Sequence, residues 1–211
     1  MLKPYGAGLL ASLLSLVLGS LSASAQVVCA LGPGAASYKS SADQRPTADA
    51  MQLAGRVNTA AKTICASNCP AVMVLRNATA ANAMLVADAG QAKLIYAPQF
   101  FATVAEGYGD AGIIAIVAHE FGHALDDTMG AAWIQSGWTP ELRADSWAGC
   151  ALAKSGLNAK EMEAALGALA KYPSPSHPGW NLRVPPIRAG YTKCGGDGST
   201  FDSGNRGGKR K

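Results

Sequence analysis

The sequence predicts a single α+β domain with a small mixed sheet, and three observations carry that prediction. Four stretches place apolar residues at helical spacing, three short apolar runs lie between the first and second of them, and the 211 residues show no internal repeat or second core. The first helix is expected over 47–66, where Met51, Ala54, Val57, Ala61 and Ile64 or Cys65 recur on one face behind Thr47 as N-cap. "PAVMVLRN" (70–77) reads as a buried strand, and "NAMLVADAGQAKLIYAP" as a hairpin with strands near 82–87 and 92–97 around "DAGQ". From Gly109 to Asp127 one stripe holds Ile113, Val117, Phe121, Ala124 and Leu125; a second holds Gly112, Ile116, His119, His123 and Asp126 or Asp127. A third helix begins at "TPEL", with Thr139 as N-cap and Pro140 at its first position, and runs to about Lys154 before Gly156. A fourth runs from Asn158, capped reciprocally by Glu161, to about Tyr172. "YPSPSHPGWNLRVPP" is too proline-rich for regular structure, and "GGDGSTFDSGNRGGKRK" is expected to be disordered.

The ends set the compartment. Lys3, the apolar run of residues 9–21 and the small-x-small pair Ala23/Ala25 predict a signal peptide over 1–25, cleaved after Ala25. The run is short and broken by serine and glycine, which disfavours a membrane anchor; Gln26, Val27 and Val28 before Cys29 disfavour a lipoprotein; and no later segment is expected to cross a bilayer. The remainder divides into an N-terminal segment (26–46), the folded domain (47–192) and a Gly-rich basic tail (193–211). The net charge of +4 resides at the ends, because the body from 26 to 200 carries 13 basic and 13 acidic residues, which argues against nucleic acid as a partner. Five cysteines without a CxxC pair point to disulfides in an exported, periplasmic or extracellular protein. Among the possible pairings, Cys65–Cys69 would close the "CASNC" loop and Cys150–Cys194 would staple the C-terminal region to a helix, with Cys29 left over.

The chemistry concentrates in "AHEFGHALDD" (118–127). On a helix, His119 and His123 project from consecutive turns and can share one ion, while Glu120 points about 100° away, where it reaches water rather than the ion. Asp127 cannot join them, since eight residues of helix span about 12 Å. A zinc site needs a third protein ligand and an open position. Glu141, opening the next helix, is the candidate ligand, and Asp145, one turn on, can accept the N–H of a ligating imidazole. Without the histidines, both would be ordinary helix-start carboxylates.

"HEFGH" followed by "ELRADSWAGCALAKSG" resembles the gluzincin metallopeptidases, in particular the HtpX-like neutral zinc metallopeptidase kind, which pair HExxH with an E-x-x-A-D helix. The asparagine-started hairpin and "SHPGWNLRVPPI", with His177, Pro178 and Arg183, are similar to further family segments, and the likeness covers roughly 47–190. Two features depart from that family: the short connection between the two helices, and a hairpin turn poorer in glycine. The resemblance implies a zincin-like fold, an edge hairpin packed on the HExxH and glutamate helices, one Zn2+ per chain, and peptide substrate lying extended along 92–97. It also implies a metalloendopeptidase with His119, His123 and Glu141 as ligands and Glu120 as general base. His177 and Arg183 are candidates either to hold an oxyanion or to tie a loop to the scaffold. The competing expectations are a secreted binding or chaperone-like protein on the same scaffold, and a metal-free interaction domain held by disulfides.

Overall fold

The computed structural model describes residues 38–88, 90–172 and 177–202, and the backbone of 26–30. The expected signal peptide and the last residues of the tail lie outside the described residues. The elements run β1 (Gln26–Ala30), α1 (Ala48–Cys65), β2 (Val72–Arg76), β3 (Ala83–Asp88), β4 (Gln91–Tyr96), α2 (Pro98–Thr128), α3 (Pro140–Lys154), α4 (Ala159–Lys171) and α5 (Trp180–Lys193). This is the mixed α+β architecture that the hydrophobic periodicity predicts.

Helix α1 starts where a threonine can satisfy a free backbone donor: the Thr47 hydroxyl accepts from the Ala50 N–H at 3.3 Å. Of its expected stripe, Ala54, Val57, Ala61 and Cys65 are buried together with Leu53, whereas Met51 is exposed. The helix ends at Ala66, which adopts φ 48°, and the Cys65–Cys69 disulfide closes the turn that follows. Strands β3 and β4 form the expected antiparallel hairpin, paired from Asp88↔Gln91 to Ala83↔Tyr96. β2 then adds in parallel to β4, and β1 antiparallel to β3, so the order is β1-β3-β4-β2. β4 therefore lies inside the sheet with both ladders occupied, and the expected edge at 92–97 is corrected. The rims belong to β1 and β2, because each half of the hairpin has recruited a distant strand that carries no local signal for its partner.

Helix α2 extends further than its periodicity suggested. It starts at Pro98, well before the expected Gly109, with proline in the first turn and no side-chain cap. Gly109 itself is non-helical (φ 61°, ψ −162°), so the expected start is a break between two helical segments. By length and composition the whole stretch is apolar enough to cross a bilayer, contrary to the expectation from sequence, but half of its most apolar window is buried inside the protein. Ile114, Ala115, Ile116, Ala118 and Leu125 are fully buried, and α2 is the spine on which α1, α3, α4 and the sheet pack, with α5 lying on α3.

α3 and α4 begin as expected. Thr139 Oγ1 accepts from Leu142 N–H, and Asn158 and Glu161 exchange hydrogen bonds of 3.0 and 2.8 Å in a capping box. The proline-rich stretch is the larger correction, for it forms α5 with Pro185 and Pro186 inside it. Each proline removes a helical donor, and tertiary contacts outweigh that local cost. A Cβ on Gly190 would sit 1.7 Å from the Ser146 carbonyl oxygen, and one on Gly149 would sit 2.0 Å from that of Ile187, so α3 and α5 meet backbone to backbone. The Cys150–Cys194 disulfide joins the same two helices at the end of α5, matching the expected pairing. Beyond it the first part of the supposedly disordered tail is ordered: a 3-10 turn at Gly198–Phe201 stacks Phe201 edge-on against Tyr191, and Arg188 pairs with Asp202.

A Gly190→Ala chain must separate α3 from α5 or distort both. Thermal unfolding is expected to show a loss of about 1–3 kcal/mol, the usual cost of overpacking a closed contact; an unchanged melting temperature would contradict the backbone contact.

Candidate metal centre

Two helices build the centre, and a glycine inside the motif lets them meet. His119 and His123 occupy successive turns of α2, their rings 5.0 Å apart and edge to face. Between them, a Cβ on Gly122 would fall 2.3 Å from the Ala144 carbonyl oxygen, so α3 crosses α2 in backbone contact at this point. That crossing carries Glu141, in the first turn of α3, to the histidines. Gly122 is the sequence signal that the motif reading passed over: only a missing side chain permits this approach.

The donor atoms converge. Glu141 Oε2 lies 3.3 Å from His119 Nε2 and 3.6 Å from His123 Nε2. Ligands about 2.0–2.1 Å from a tetrahedral ion are separated by about 3.3–3.4 Å, so the separations fit one ion. His119, His123 and Glu141 form a group that could hold a metal ion. His119 is fully buried and His123 nearly so, and His123 Nε2 is a buried polar atom with no hydrogen-bond partner, as expected of an atom meant for a ligand outside the protein. Burial alone would raise the Glu141 carboxyl, but the three imidazoles gathered around it, His119, His123 and His177, outweigh it and hold the group far below the usual carboxylate range.

Behind the ligands lies a second, tighter arrangement. Asp145 Oδ1 accepts from His119 Nδ1 at 2.9 Å, which fixes the ring so that Nε2 is the nitrogen presented to Glu141 and the convergence point. Arg183 on α5 grips the same carboxylate with both arms, Nε to Oδ2 at 2.8 Å and Nη2 to Oδ1 at 2.7 Å, and its Nη1 donates to the Leu169 carbonyl of α4. Asp145 and Arg183 are buried. Burial opposes the Asp145 charge, yet Arg183 and then His119 more than offset it and keep its pKa below the ordinary value. Arg183 is thus a clamp on the acid that orients a ligand, and its guanidinium is engaged away from the convergence point. Of the two roles left open for it, the contacts describe the scaffold one.

His177 comes closer than the sequence could tell. Its Nε2 lies 2.7 Å from Glu141 Oε2 and 2.9 Å from His119 Nε2, so all three histidines of the chain meet at one carboxylate. Burial lowers its pKa, with Glu141 acting against that. Glu120 is treated in the opposite way to Asp145. It is fully buried, neither carboxylate oxygen has a hydrogen-bond partner, and the Leu85 N–H of β3 faces it. Desolvation raises its pKa, against the pull of His119 and His123. Asp127, excluded by spacing, is exposed at the far end of α2. A groove of about 580 Å³ between α1 and β2, lined by Met51, Lys62, Val74 and Phe121 among others, has none of these groups in its lining.

No family model, curated protein or solved structure matches the chain.

Two outcomes follow from this geometry. Replacing Arg183 with leucine strands the Asp145 carboxylate in the interior, and denaturant unfolding at neutral pH should show a loss of about 3–5 kcal/mol. Because the Asp145 pKa is depressed on folding, the stability it confers is present above the ordinary carboxylate pKa and disappears as pH falls through the depressed value, so the parent and variant should converge in acid. The second concerns metal uptake. Burial pulls the His119 pKa down, but Asp145 and Glu141 outweigh it and raise it to about 9 without an ion, so at pH 7 this ligand carries a proton that a metal must displace. Titrating Zn2+ calorimetrically in buffers of different ionisation enthalpy should record release of about one proton per ion at pH 7; release near zero would contradict the raised His119 pKa.

Proposed function

We propose that the chain is a zinc-dependent peptidase of the gluzincin type, exported from the cytoplasm, that hydrolyses peptide bonds with Glu120 as general base. The observation that carries this reading is Glu120 itself: a carboxylate buried beside the His119–His123–Glu141 group with neither oxygen hydrogen-bonded. Holding a carboxylate there costs several kcal/mol, and a purely structural metal site gains nothing from it. The resemblance in HExxH and ExxAD supports the same conclusion, as does the pair of disulfides, which is compatible with an exported protein.

The donor set fits zinc: two imidazoles and one carboxylate, with room in the ligand count for an open fourth position. When bound, the ion would supply Lewis-acid polarisation of a carbonyl and would bring the pKa of water towards about 7. Glu120, its pKa raised by desolvation, takes the proton from the attacking water and passes it to the leaving amine. Asp145, clamped by Arg183, holds the His119 ring and its tautomer. His177 is the protic side chain nearest the convergence point and is suited to steady the oxygen of the carbonyl under attack. Substrate adds as an extended strand, for which the side of β3 next to Glu120, the side that β1 covers, replaces the expected 92–97.

In a Glu120→Gln chain, zinc content measured by elemental mass spectrometry should equal that of the parent, while cleavage of an unstructured peptide mixture falls by about 10²–10⁴-fold. Undiminished cleavage would remove Glu120 from the mechanism. Stoichiometric zinc with no cleavage by either chain would favour the binding-protein alternative.

A further inference from the structure

Strand polarity fixes which rim of the hairpin faces the centre. The pairing from Asp88↔Gln91, continued by the Ala97 N–H donating to the Asn82 carbonyl, directs the backbone groups of even-numbered β3 residues to β4. The backbone groups of Ala83, Leu85 and Ala87 therefore point to the opposite rim, and on that rim the Leu85 N–H faces the Glu120 carboxylate. β1 covers the same rim. It pairs antiparallel with β3 at Gln26↔Ala87 and Val27↔Val86, skips a residue, and resumes at Cys29↔Leu85, so its irregularity falls beside the one β3 amide turned to Glu120. It also touches α2, the helix that carries Glu120, His119 and His123.

We propose that residues 26–30 are an internal substrate-like strand, seated on the peptide-binding rim of β3 and holding the site closed until they are displaced. The inference rests on the peptidase reading for the meaning of that rim. A five-residue antiparallel strand beside the base is what an extended peptide substrate would form there, and its ladder hydrogen bonds are available to any sequence without proline at the paired positions. The full burial of Glu120 describes the occupied state of such a site. Because the segment belongs to the same chain, its effective concentration at the rim exceeds that of a free peptide, and an outside substrate must outcompete it.

The test compares the full zinc-loaded chain with its Gln26→Pro/Cys29→Pro variant, which lacks the two N–H donors opposite Ala87 and Leu85. Amide exchange at Ala87 reports the β1 ladder, exchange at Val86 reports the β3–β4 ladder, and unchanged zinc content with unchanged Val86 protection shows that the variant is folded. The expected result is exchange at Ala87 faster by about tenfold or more, cleavage of an unstructured peptide mixture faster by a similar factor, and both reversed by a synthetic peptide of residues 26–30. Unchanged exchange at Ala87 overturns the seating of the strand. Faster exchange with cleavage no faster than that of an active parent overturns its inhibitory role. Faster exchange when neither chain cleaves any peptide overturns the peptidase reading and leaves the seated strand standing.

Discussion

The arrangement of the centre depends on one buried ion pair, that between Arg183 and Asp145. Neither residue is a candidate ligand, and they stand 38 positions apart, yet the two-armed contact fixes the carboxylate that holds His119. Through it α5 acts on α2 by way of α3, and the third guanidinium nitrogen adds α4 through Leu169. A buried pair adds little net stability when compared with apolar residues of the same shape. What it adds here is orientation, since a planar guanidinium and a carboxylate match in one geometry and leave one oxygen positioned for the imidazole. Breaking either partner would leave the other charged and dry, so the four helices are tied to a common arrangement.

Local chemistry wrote the legible half of this structure. Thr47, Thr139 and the Asn158/Glu161 pair mark helix starts because each satisfies a free backbone donor within three residues, and that information is complete in a short window. His119, His123, Glu141 and Asp145 were readable for the same reason: fixed helical spacing, together with a connection of known length, left few arrangements that bring them together. The illegible half is long-range. Nothing within 91–96 tells which strands will cover that hairpin, and β4 is internal only because β2 pairs with its other edge, as β1 does with that of β3. The first segment of α2 went unread because Ala97 offers no capping side chain, although Pro98 was in the right position.

Helix α5 is the clearest case of tertiary contacts overruling propensity. Pro185 and Pro186 argue for a break, and the local cost is real. Against it stand the Arg183 clamp, the Cys150–Cys194 link, the fully buried Ile187 and the contact of Gly190 with Ser146. The glycines were themselves a signal. Gly122, Gly149 and Gly190 sit inside helices, where glycine is disfavoured, and each marks a place where another backbone comes within the reach of a methyl group. Read as contact points rather than as weak helix formers, they would have joined α2 to α3 and α3 to α5 from sequence alone.

The same solvation physics treats two acids of the centre in opposite ways. Asp145 is buried with two strong donors, so its charge is favoured and its proton is lost. Glu120 is equally buried, its oxygens are unpaired, and desolvation raises its proton affinity above the ordinary carboxylate value. Had the fold needed Glu120 only for packing, a glutamine or an apolar side chain would have met the same space without an unpaired charge. A folded chain that satisfies Asp145 so fully, in the same few turns of helix, had the means to satisfy Glu120 as well. That it keeps this one carboxylate free, facing the Leu85 amide on the rim of β3, concentrates the local cost at the point where water, metal ligands and an extended strand would meet.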